Sequence, residues 1–194
     1  MSMVRRNGRY TIADYATWPE DERWELIDGE AYAMTPAPNT RHQQISVKLT
    51  AMLDSALGNT PCIPYHAPTD VTFDEAEDTN TVVEPDLFVM CGPHGTGNRV
   101  TGVPVLVIEI LSPLTARRDK VVKRALYERV GVKEYWLVDP ANEIIDVLVQ
   151  DGGRLSLSHT VGREDTLQST ALPSVVIDVN AVFAQRNLDP ETGA

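Results

Sequence analysis

The chain has 194 residues, of which 42% are hydrophobic and 23% are charged, which is ordinary for a globular protein of about one domain. No apolar run is long enough to span a bilayer, and no apolar stretch follows the two arginines near the N-terminus. We therefore expect no membrane association and a cytoplasmic protein. The net charge of −11 argues against a protein that coats nucleic acid through bulk electrostatics, but it leaves room for an enzyme with a local basic channel.

The N-terminal third predicts a helix, a hairpin and a second helix. Thr11 is suited to cap a short helix that begins at Ile12. Residues 21–35 alternate apolar and polar positions around the turn dipeptide Asp28-Gly29, which predicts a β-hairpin. A broad apolar face predicts a long amphipathic helix over 42–57.

Strand signals dominate the middle of the chain, at residues 62–67, 70–73 and 87–91. The glycine-rich stretch 92–102 lacks the spacing of a phosphate-binding loop, so we interpret it as a plain surface loop. The two cysteines, Cys62 and Cys91, are too few for a zinc cluster or a disulfide framework. We expect both to be buried free thiols that pack as small hydrophobes.

A nearly continuous apolar run from Val103 to Leu111 predicts a strand that is covered on both faces. A helix over 115–130 and a strand over 134–138 follow, and this order predicts a βαβ unit with two parallel strands. The predicted buried stripe of that helix consists of its apolar residues Val121, Val122, Ala125, Leu126 and Val130.

The C-terminal part predicts an antiparallel pair at 144–149 and 155–159 and one more apolar segment at 172–183. The predicted fold class is α/β, or α+β, with a mixed central sheet flanked by helices on both faces. We expect a single domain over 1–194, with a core at about 10–150, a C-terminal antiparallel extension at 151–185 and a frayed tail at 186–194.

Glu109 lies inside the apolar run, where an ionised carboxylate is costly unless a cation meets it. Asp86 begins the preceding predicted strand, and because sequential strands are commonly neighbours, the two carboxylates can converge. Two hard oxygen ligands suit Mg²⁺ or Mn²⁺. The alternatives are a buried structural ion pair for Glu109 and a turn residue for Asp86.

The helix after Glu109 offers a cation for such a site. Asp119, Lys123 and Tyr127 are spaced four apart and form a row along the edge of the predicted buried face. Lys123 can extend from that edge toward the sheet and meet the charge that develops on a phosphate during hydrolysis. The alternative is an exposed lysine, which is the usual state of a helical lysine.

Taken together, these residues resemble a known family. Pro85-Asp86 followed by Glu109-Ile110-Leu111 resembles the bipartite signature of the PD-(D/E)xK restriction-endonuclease-like superfamily, and the surroundings are closer still to its Uma-two branch. The match covers about residues 10–149. It includes WELIDGE at 24–30, VIEILSP at 107–113 and GVKEYWLVDP at 131–140, together with His42, Asp119, Lys123 and Tyr127.

The resemblance implies a metal-dependent endonuclease that hydrolyses DNA, with Asp86 and Glu109 holding Mg²⁺ or Mn²⁺ and Lys123 as the third catalytic residue. The wider superfamily has a lysine two residues after the strand carboxylate, where this chain has Leu111. In the Uma-two branch a helix lysine takes that place, and Lys123 matches it. A homodimer is expected, because cutting a second strand needs a second site.

Four residues are second-rank candidates for the site. Glu30 matches an acidic hairpin position of the branch and His42 matches a helix-start position, and Asp119 and Tyr127 complete the set. The alternatives are an exposed hairpin carboxylate for Glu30 and a helix N-terminal hydrogen-bonding residue for His42.

Two other functions stay open from the sequence. A catalytically inactive relative with the same fold would bind DNA or a protein partner, and the missing strand lysine and the negative charge favour it. The joint presence of Asp86, Glu109 and Lys123 favours the enzyme. A protein that binds a small anionic metabolite is disfavoured, because no phosphate-binding glycine motif is present.

Overall fold

The computed structural model describes residues 9–19, 22–34, 39–74, 76, 79–95, 97 and 99–185. The predicted frayed tail at 186–194 and the ends of the predicted hairpin, at 21 and 35, lie outside these residues. The helices are α1 (Ile12–Tyr15), α2 (Thr40–Leu57), a π-helical segment (Arg118–Lys123) that continues into α3 (Arg124–Val130), and α4 (Val179–Phe183). The strands are β1 (Trp24–Ile27), β2 (Glu30–Ala33), β3 (Cys62–His66), β4 (Val71–Thr72), β5 (Leu87–Cys91), β6 (Val100–Thr101), β7 (Leu106–Ile110), β8 (Glu134–Asp139), β9 (Ile144–Asp151), β10 (Arg154–Val161), β11 (Thr166–Gln168) and β12 (Val176–Asp178).

A mixed central sheet organises the molecule, with the strand order β10-β9-β8-β7-β5-β3. Its parallel pair is β7 with β8, and the π-helical segment and α3 connect these two strands. The neighbouring pairs are antiparallel. The predicted βαβ unit and the mixed sheet with flanking helices are therefore confirmed.

Apolar side chains cover the two faces of this sheet in different ways. On one face α2 packs through Ile45, Leu49, Leu53 and Leu57, which recur every four residues and so form a single buried stripe. The other face is covered by the β1–β2 hairpin and by the π-helical segment with α3. Glu109 lies on this second face, since it contacts side chains of those helical segments.

The helix between β7 and β8 presents a different face from the predicted one. Val121 is 56% exposed and Ala125 is exposed, so the predicted stripe is wrong at these two residues, whereas Val122, Leu126 and Val130 pack in the second-face core. Asp119 and Lys123 are buried. The physical reason is the π-helical segment, which has more residues per turn than an α-helix and rotates the following side chains relative to the sheet. The polar row, rather than the apolar stripe, is thereby turned toward Glu109.

Cys62 and Cys91 form a disulfide, so the expectation of two free thiols is wrong. The two residues are directly opposite each other in the antiparallel register of β3 and β5, although 29 positions separate them in the chain. The strand pairing brings them together, and the spacing of the two cysteines alone contains no such information.

The glycine-rich stretch is more ordered than expected. Val100 and Thr101 form β6, which pairs in parallel with β4, so the interpretation of 92–102 as a plain surface loop is wrong at that point.

Among the described residues, no helix combines the length and the apolar character needed to cross a membrane.

Candidate active site

The site begins where the start of β5 meets the end of β7. Leu87 pairs with Ile108 in the antiparallel register, so Asp86, just before β5, lies beside the last residues of β7. The Asp86 carboxylate accepts a hydrogen bond from the Ile110 amide, with 2.7 Å between Oδ2 and N. The predicted convergence of Asp86 with the strand of Glu109 is therefore present in the structure.

Glu109 is the centre of a buried hydrogen-bonded cluster. Its Oε1 accepts a hydrogen bond from Lys123 Nζ at 2.8 Å and another from the Tyr127 hydroxyl at 3.0 Å. Glu109 is 3% exposed and Lys123 is 2% exposed. Lys123 thus extends inward, as the resemblance implied, and the alternative of an exposed helical lysine does not hold.

A second carboxylate, that of Glu25 on β1, contacts the same lysine and was missed from the sequence. Glu25 is fully buried, and its Oε1 lies 2.7 Å from Lys123 Nζ. The same oxygen accepts a hydrogen bond from the backbone amide of Glu84 at 3.0 Å. Its other oxygen lies 3.4 Å from Arg118 Nη1. The signal that could have found Glu25 is the one that singled out Glu109, a carboxylate inside a short apolar strand.

Glu30, the hairpin carboxylate chosen from the sequence, lies elsewhere. It is exposed on β2 and accepts a hydrogen bond from the Tyr32 hydroxyl at 2.9 Å. The structure does not bring it to Glu109. The hairpin does contribute an acidic side chain to the cluster, but from the strand before the turn rather than from the strand after it.

His42 approaches the site from the first turn of α2. Its Nε2 lies 3.2 Å from Asp86 Oδ2, and its side chain is 14% exposed. Asn39 caps the helix by accepting the His42 amide, which fixes the position of this turn. The buried Nδ1 of His42 has no hydrogen-bond partner within the described part of the chain.

Burial and charge together set the protonation of the cluster. Burial raises the pKa of Glu109 well above its usual value, Lys123 lowers it, and the charges of Asp119, Asp86 and Glu25 raise it further. For Lys123, burial lowers the pKa, but Glu109, Glu25 and Asp119 raise it well above its usual value. Lys123 therefore keeps its positive charge near neutral pH. Burial also raises the pKa of Tyr127, with help from Glu109, so its hydroxyl remains a donor.

Asp119, the remaining residue of the predicted row, lies behind this cluster. It is 2% exposed, and burial raises its pKa while Lys123, a hydrogen bond from Thr115 and Arg118 lower it. The backbone carbonyl of Asp119 accepts a hydrogen bond from the Tyr135 hydroxyl at 3.1 Å. The row of Asp119, Lys123 and Tyr127 thus faces the sheet as a whole.

One pocket of about 690 Å³ opens above these residues. Its wall includes Asp86, Glu109, Asp119 and Lys123, along with His42 from α2 and Arg118 from the π-helical segment. Small polar side chains of α2, such as Ser46 and Thr50, form the opposite wall. The buried charges are thus accessible to a ligand from one side.

Comparisons with known proteins show the family to which the chain belongs. A family model described as "Putative restriction endonuclease" matches residues 12–180. The chain belongs to this family, Uma2. An uncharacterized protein of Synechocystis sp. is 29% identical over 172 residues, which cover 86% of this chain and 88% of that protein. A crystal structure described as a putative nuclease of DUF820 from Anabaena variabilis superposes with a TM-score of 0.70 at 18% identity, over 90% of this chain and 97% of that chain.

Membership in Uma2 confirms the resemblance seen in the sequence, and the superposition confirms the fold class. Leu111, the position where the wider superfamily has its strand lysine, is an apolar residue that packs in the second-face core. Lys123 Nζ comes from the helix and reaches the strand carboxylate directly. Lys123 of the helix thus supplies the cation beside Glu109, since β7 itself has no lysine or arginine.

The charges of the site bear on whether a metal ion fits. Glu109 interacts electrostatically with Glu25, Asp86 and Asp119, and Asp119 also interacts with Asp86. Lys123 and Arg118 are the cations that contact this group. Asp86 Oδ1 and Glu109 Oε2 have no hydrogen bond within the described residues. No group of three or more His, Cys, Asp or Glu side chains in that part of the chain could hold a metal. Asp86 Oδ1 and Glu109 Oε2 are hard oxygen atoms of the kind that Mg²⁺ takes from a protein while it keeps several water ligands.

Proposed function

We propose that this Uma2 protein is a metal-dependent endonuclease that hydrolyses phosphodiester bonds of DNA. The observation that carries the proposal is the meeting of Asp86, Glu109 and Lys123 at the base of one pocket, with a buried lysine bonded directly to the strand carboxylate. Family membership points to the same reaction class.

Asp86 and Glu109 would hold Mg²⁺ or Mn²⁺, which supplies positive charge to the reacting phosphate when bound. The chain's own residues orient this pair. The Ile110 amide and His42 both contact Asp86 Oδ2, so the other oxygen is directed away from them. Tyr127 and Lys123 occupy Glu109 Oε1 in the same way. Both carboxylates thus keep one oxygen without a hydrogen bond to the described residues.

The role of Lys123 follows from its protonation. Because flanking carboxylates hold its pKa well above the usual value, Lys123 cannot accept a proton from an attacking water near neutral pH. It can donate hydrogen bonds to the non-bridging oxygens of a phosphate, where negative charge grows during attack. Glu25 Oε1 also contacts the ammonium group, at 2.7 Å, and so helps to fix its position.

A plasmid-nicking assay with Mg²⁺ and Mn²⁺ tests the proposal. The variants are Asp86→Asn, whose side chain is partly exposed, and Glu109→Gln. We expect each to lose cleavage by about 100-fold or more, the usual effect of removing one pre-organised polar group. Glu30→Gln removes an exposed carboxylate of the same hairpin and should cleave like wild type. Equal cleavage by all four proteins would refute the proposal.

The second candidate function is a catalytically inactive module that binds DNA or a protein partner. It is favoured by the paired state of Lys123, whose charge is already shared by Glu109 and Glu25 in a buried ion-pair arrangement. Titration calorimetry with Mg²⁺ and Mn²⁺ separates the two functions. Millimolar binding that disappears in Asp86→Asn supports the enzyme, and no heat of binding in wild type supports the module.

Assembly and location are part of the same proposal. A homodimer would bring two sites to the two strands of a duplex, and a cytoplasmic location would give access to DNA. The Cys62–Cys91 disulfide is uncommon for cytoplasmic proteins. Thiol trapping in cell extracts, compared with the purified protein, measures whether the bond is formed where the protein acts.

A further inference from the structure

The helix that carries Lys123 also has the densest cluster of positive charge in an acidic protein. Five of the 17 lysines and arginines lie in the eight residues from 117 to 124, while the whole chain carries a net charge of −11. Asp119 is the one carboxylate in this stretch. A charged helical face is commonly no more than solvated surface, so the question is what each cation contacts.

Three of the five cations are engaged inside the molecule. Lys123 is bound between Glu109 and Glu25, and Arg118 contacts Glu25 and the Ala33 carbonyl. Arg124 donates to the Leu155 carbonyl at 2.6 Å. These side chains hold the helix against the sheet and the hairpin.

The other two, Arg117 and Lys120, are exposed, and neither makes a hydrogen bond or a direct ion pair within the described residues. We call Arg117 and Lys120 the rim cations, because each is adjacent in the chain to a residue that lines the pocket. Arg117 precedes Arg118 and Lys120 follows Asp119, and Arg118 and Asp119 both line the wall. The positive charge of the rim cations is therefore available to a ligand that extends out of the pocket.

The charge of Lys120 acts on Asp139, whose neighbours in the chain line the pocket. The pKa of Asp139 lies below its usual value: burial raises it, but hydrogen bonds from Asn142 and Ala141 and the charge of Lys120 lower it. Asp139 directly precedes Pro140 and Ala141, which line the pocket. Lys120 thus interacts electrostatically with the end of β8, which is followed by residues of the pocket wall.

We propose that Arg117 and Lys120 form the contact for the DNA backbone outside the pocket, so that phosphates next to the scissile one bind over the start of this helix. The inference rests on the proposed nuclease function. Elsewhere the acidic surface repels a polyanion, so the two exposed rim cations also orient its approach. A substrate that ends inside the pocket would not touch them.

The test compares two double variants with the same change of charge. Arg117→Gln/Lys120→Gln removes the rim cations. Lys133→Gln/Arg154→Gln removes two exposed cations at the opposite end of the sheet, where β8 begins and β9 turns into β10. Binding of a fluorescein-labelled DNA duplex is followed by anisotropy at several salt concentrations. Cleavage is measured with the same DNA and with bis(p-nitrophenyl) phosphate, a small diester that cannot extend past the rim.

For the rim variant we expect the slope of log affinity against log salt to fall by about 1.8, because each phosphate contact contributes about 0.9 on duplex DNA. KM for DNA should rise while hydrolysis of the small diester matches wild type. The distal variant should keep the slope of wild type. Identical slopes for the two variants, or loss of small-diester hydrolysis in the rim variant, would overturn the inference but leave the nuclease function standing. If wild type neither binds nor cleaves DNA, the proposed function itself fails.

Discussion

Two buried carboxylates on neighbouring parallel strands, Glu109 on β7 and Glu134 on β8, have opposite surroundings. Glu134 is fully buried and accepts three hydrogen bonds, each 2.7 Å long, from Trp136 Nε1, the Ser169 hydroxyl and the Ala171 amide. All three donors are neutral. Glu134 thereby attaches the segment after β11 to the central sheet, and it does not line the pocket.

Glu109 uses one oxygen for a cation and a tyrosine hydroxyl, while it also lines the pocket. Burial of a carboxylate is therefore not by itself a sign of function. What separates the two residues is the charge of the partners and the access of a ligand to the remaining oxygen. Three variants sharpen this comparison, because each changes one of the two carboxylates or a partner of one of them.

The largest effect on stability is expected for Lys123→Met. The substitution leaves Glu109 and Glu25 buried without their shared cation, which commonly costs about 3–5 kcal/mol of unfolding free energy. Urea unfolding followed by circular dichroism measures this value. Adding Glu25→Gln to Lys123→Met should recover part of the loss, since one of the two unpaired charges is then removed. Lys133→Met, at an exposed position, should stay within about 0.5 kcal/mol of wild type. A similar small change for Lys123→Met would contradict the paired arrangement.

A smaller loss is expected for Glu134→Gln. The amide keeps one acceptor oxygen but replaces the other with an NH₂ group, so either Trp136 or the Ser169–Ala171 pair loses its acceptor. One unmet buried donor costs about 1–3 kcal/mol. DNA cleavage at a temperature where the variant is folded should equal that of wild type. Loss of cleavage without loss of stability would show that Glu134 belongs with Glu109.

The smallest effect is a dependence on pH, measured as the unfolding free energy of wild type minus that of Glu109→Gln. Because the pKa of Glu109 is raised in the folded state, that state binds the proton more tightly than the unfolded chain does. The stabilisation is present below the ordinary value of 4.5 and is lost as pH rises through the raised pKa. The unfolding free energy of wild type minus that of the variant should therefore decrease as pH increases over that window. A shift in the opposite direction would mean that Lys123 dominates the titration of Glu109.

Much of the candidate site could be predicted because its signals are local. Glu109 interrupts a strand that is otherwise apolar, and Asp86 follows a proline at the start of the preceding strand of the sheet. The order of strand, helix and strand requires the helix to pack on the sheet that contains Glu109. A lysine on that helix is therefore a candidate partner of Glu109 on the sequence alone.

The choice of side chains within each element was less predictable. The hairpin was predicted correctly, but the acidic residue that enters the cluster is Glu25, on the strand before the turn, and not Glu30. The helix was predicted, but its buried face was not, because the π-helical segment changes the phase of the residues from Arg118 to Lys123. The change of phase in the helix has no signal in a pattern of period 3.6.

The order of the main helices and strands, and the carboxylate Glu109 inside an apolar strand, follow from the sequence alone. Those properties depend on neighbours in the chain, where propensity and hydrophobic period operate over a few residues. Tertiary packing brings Cys62 to Cys91, places Lys123 between two carboxylates and leaves Arg117 and Lys120 exposed. Those outcomes depend on strand register and helix rotation, which are set by the packing of residues far apart in the chain.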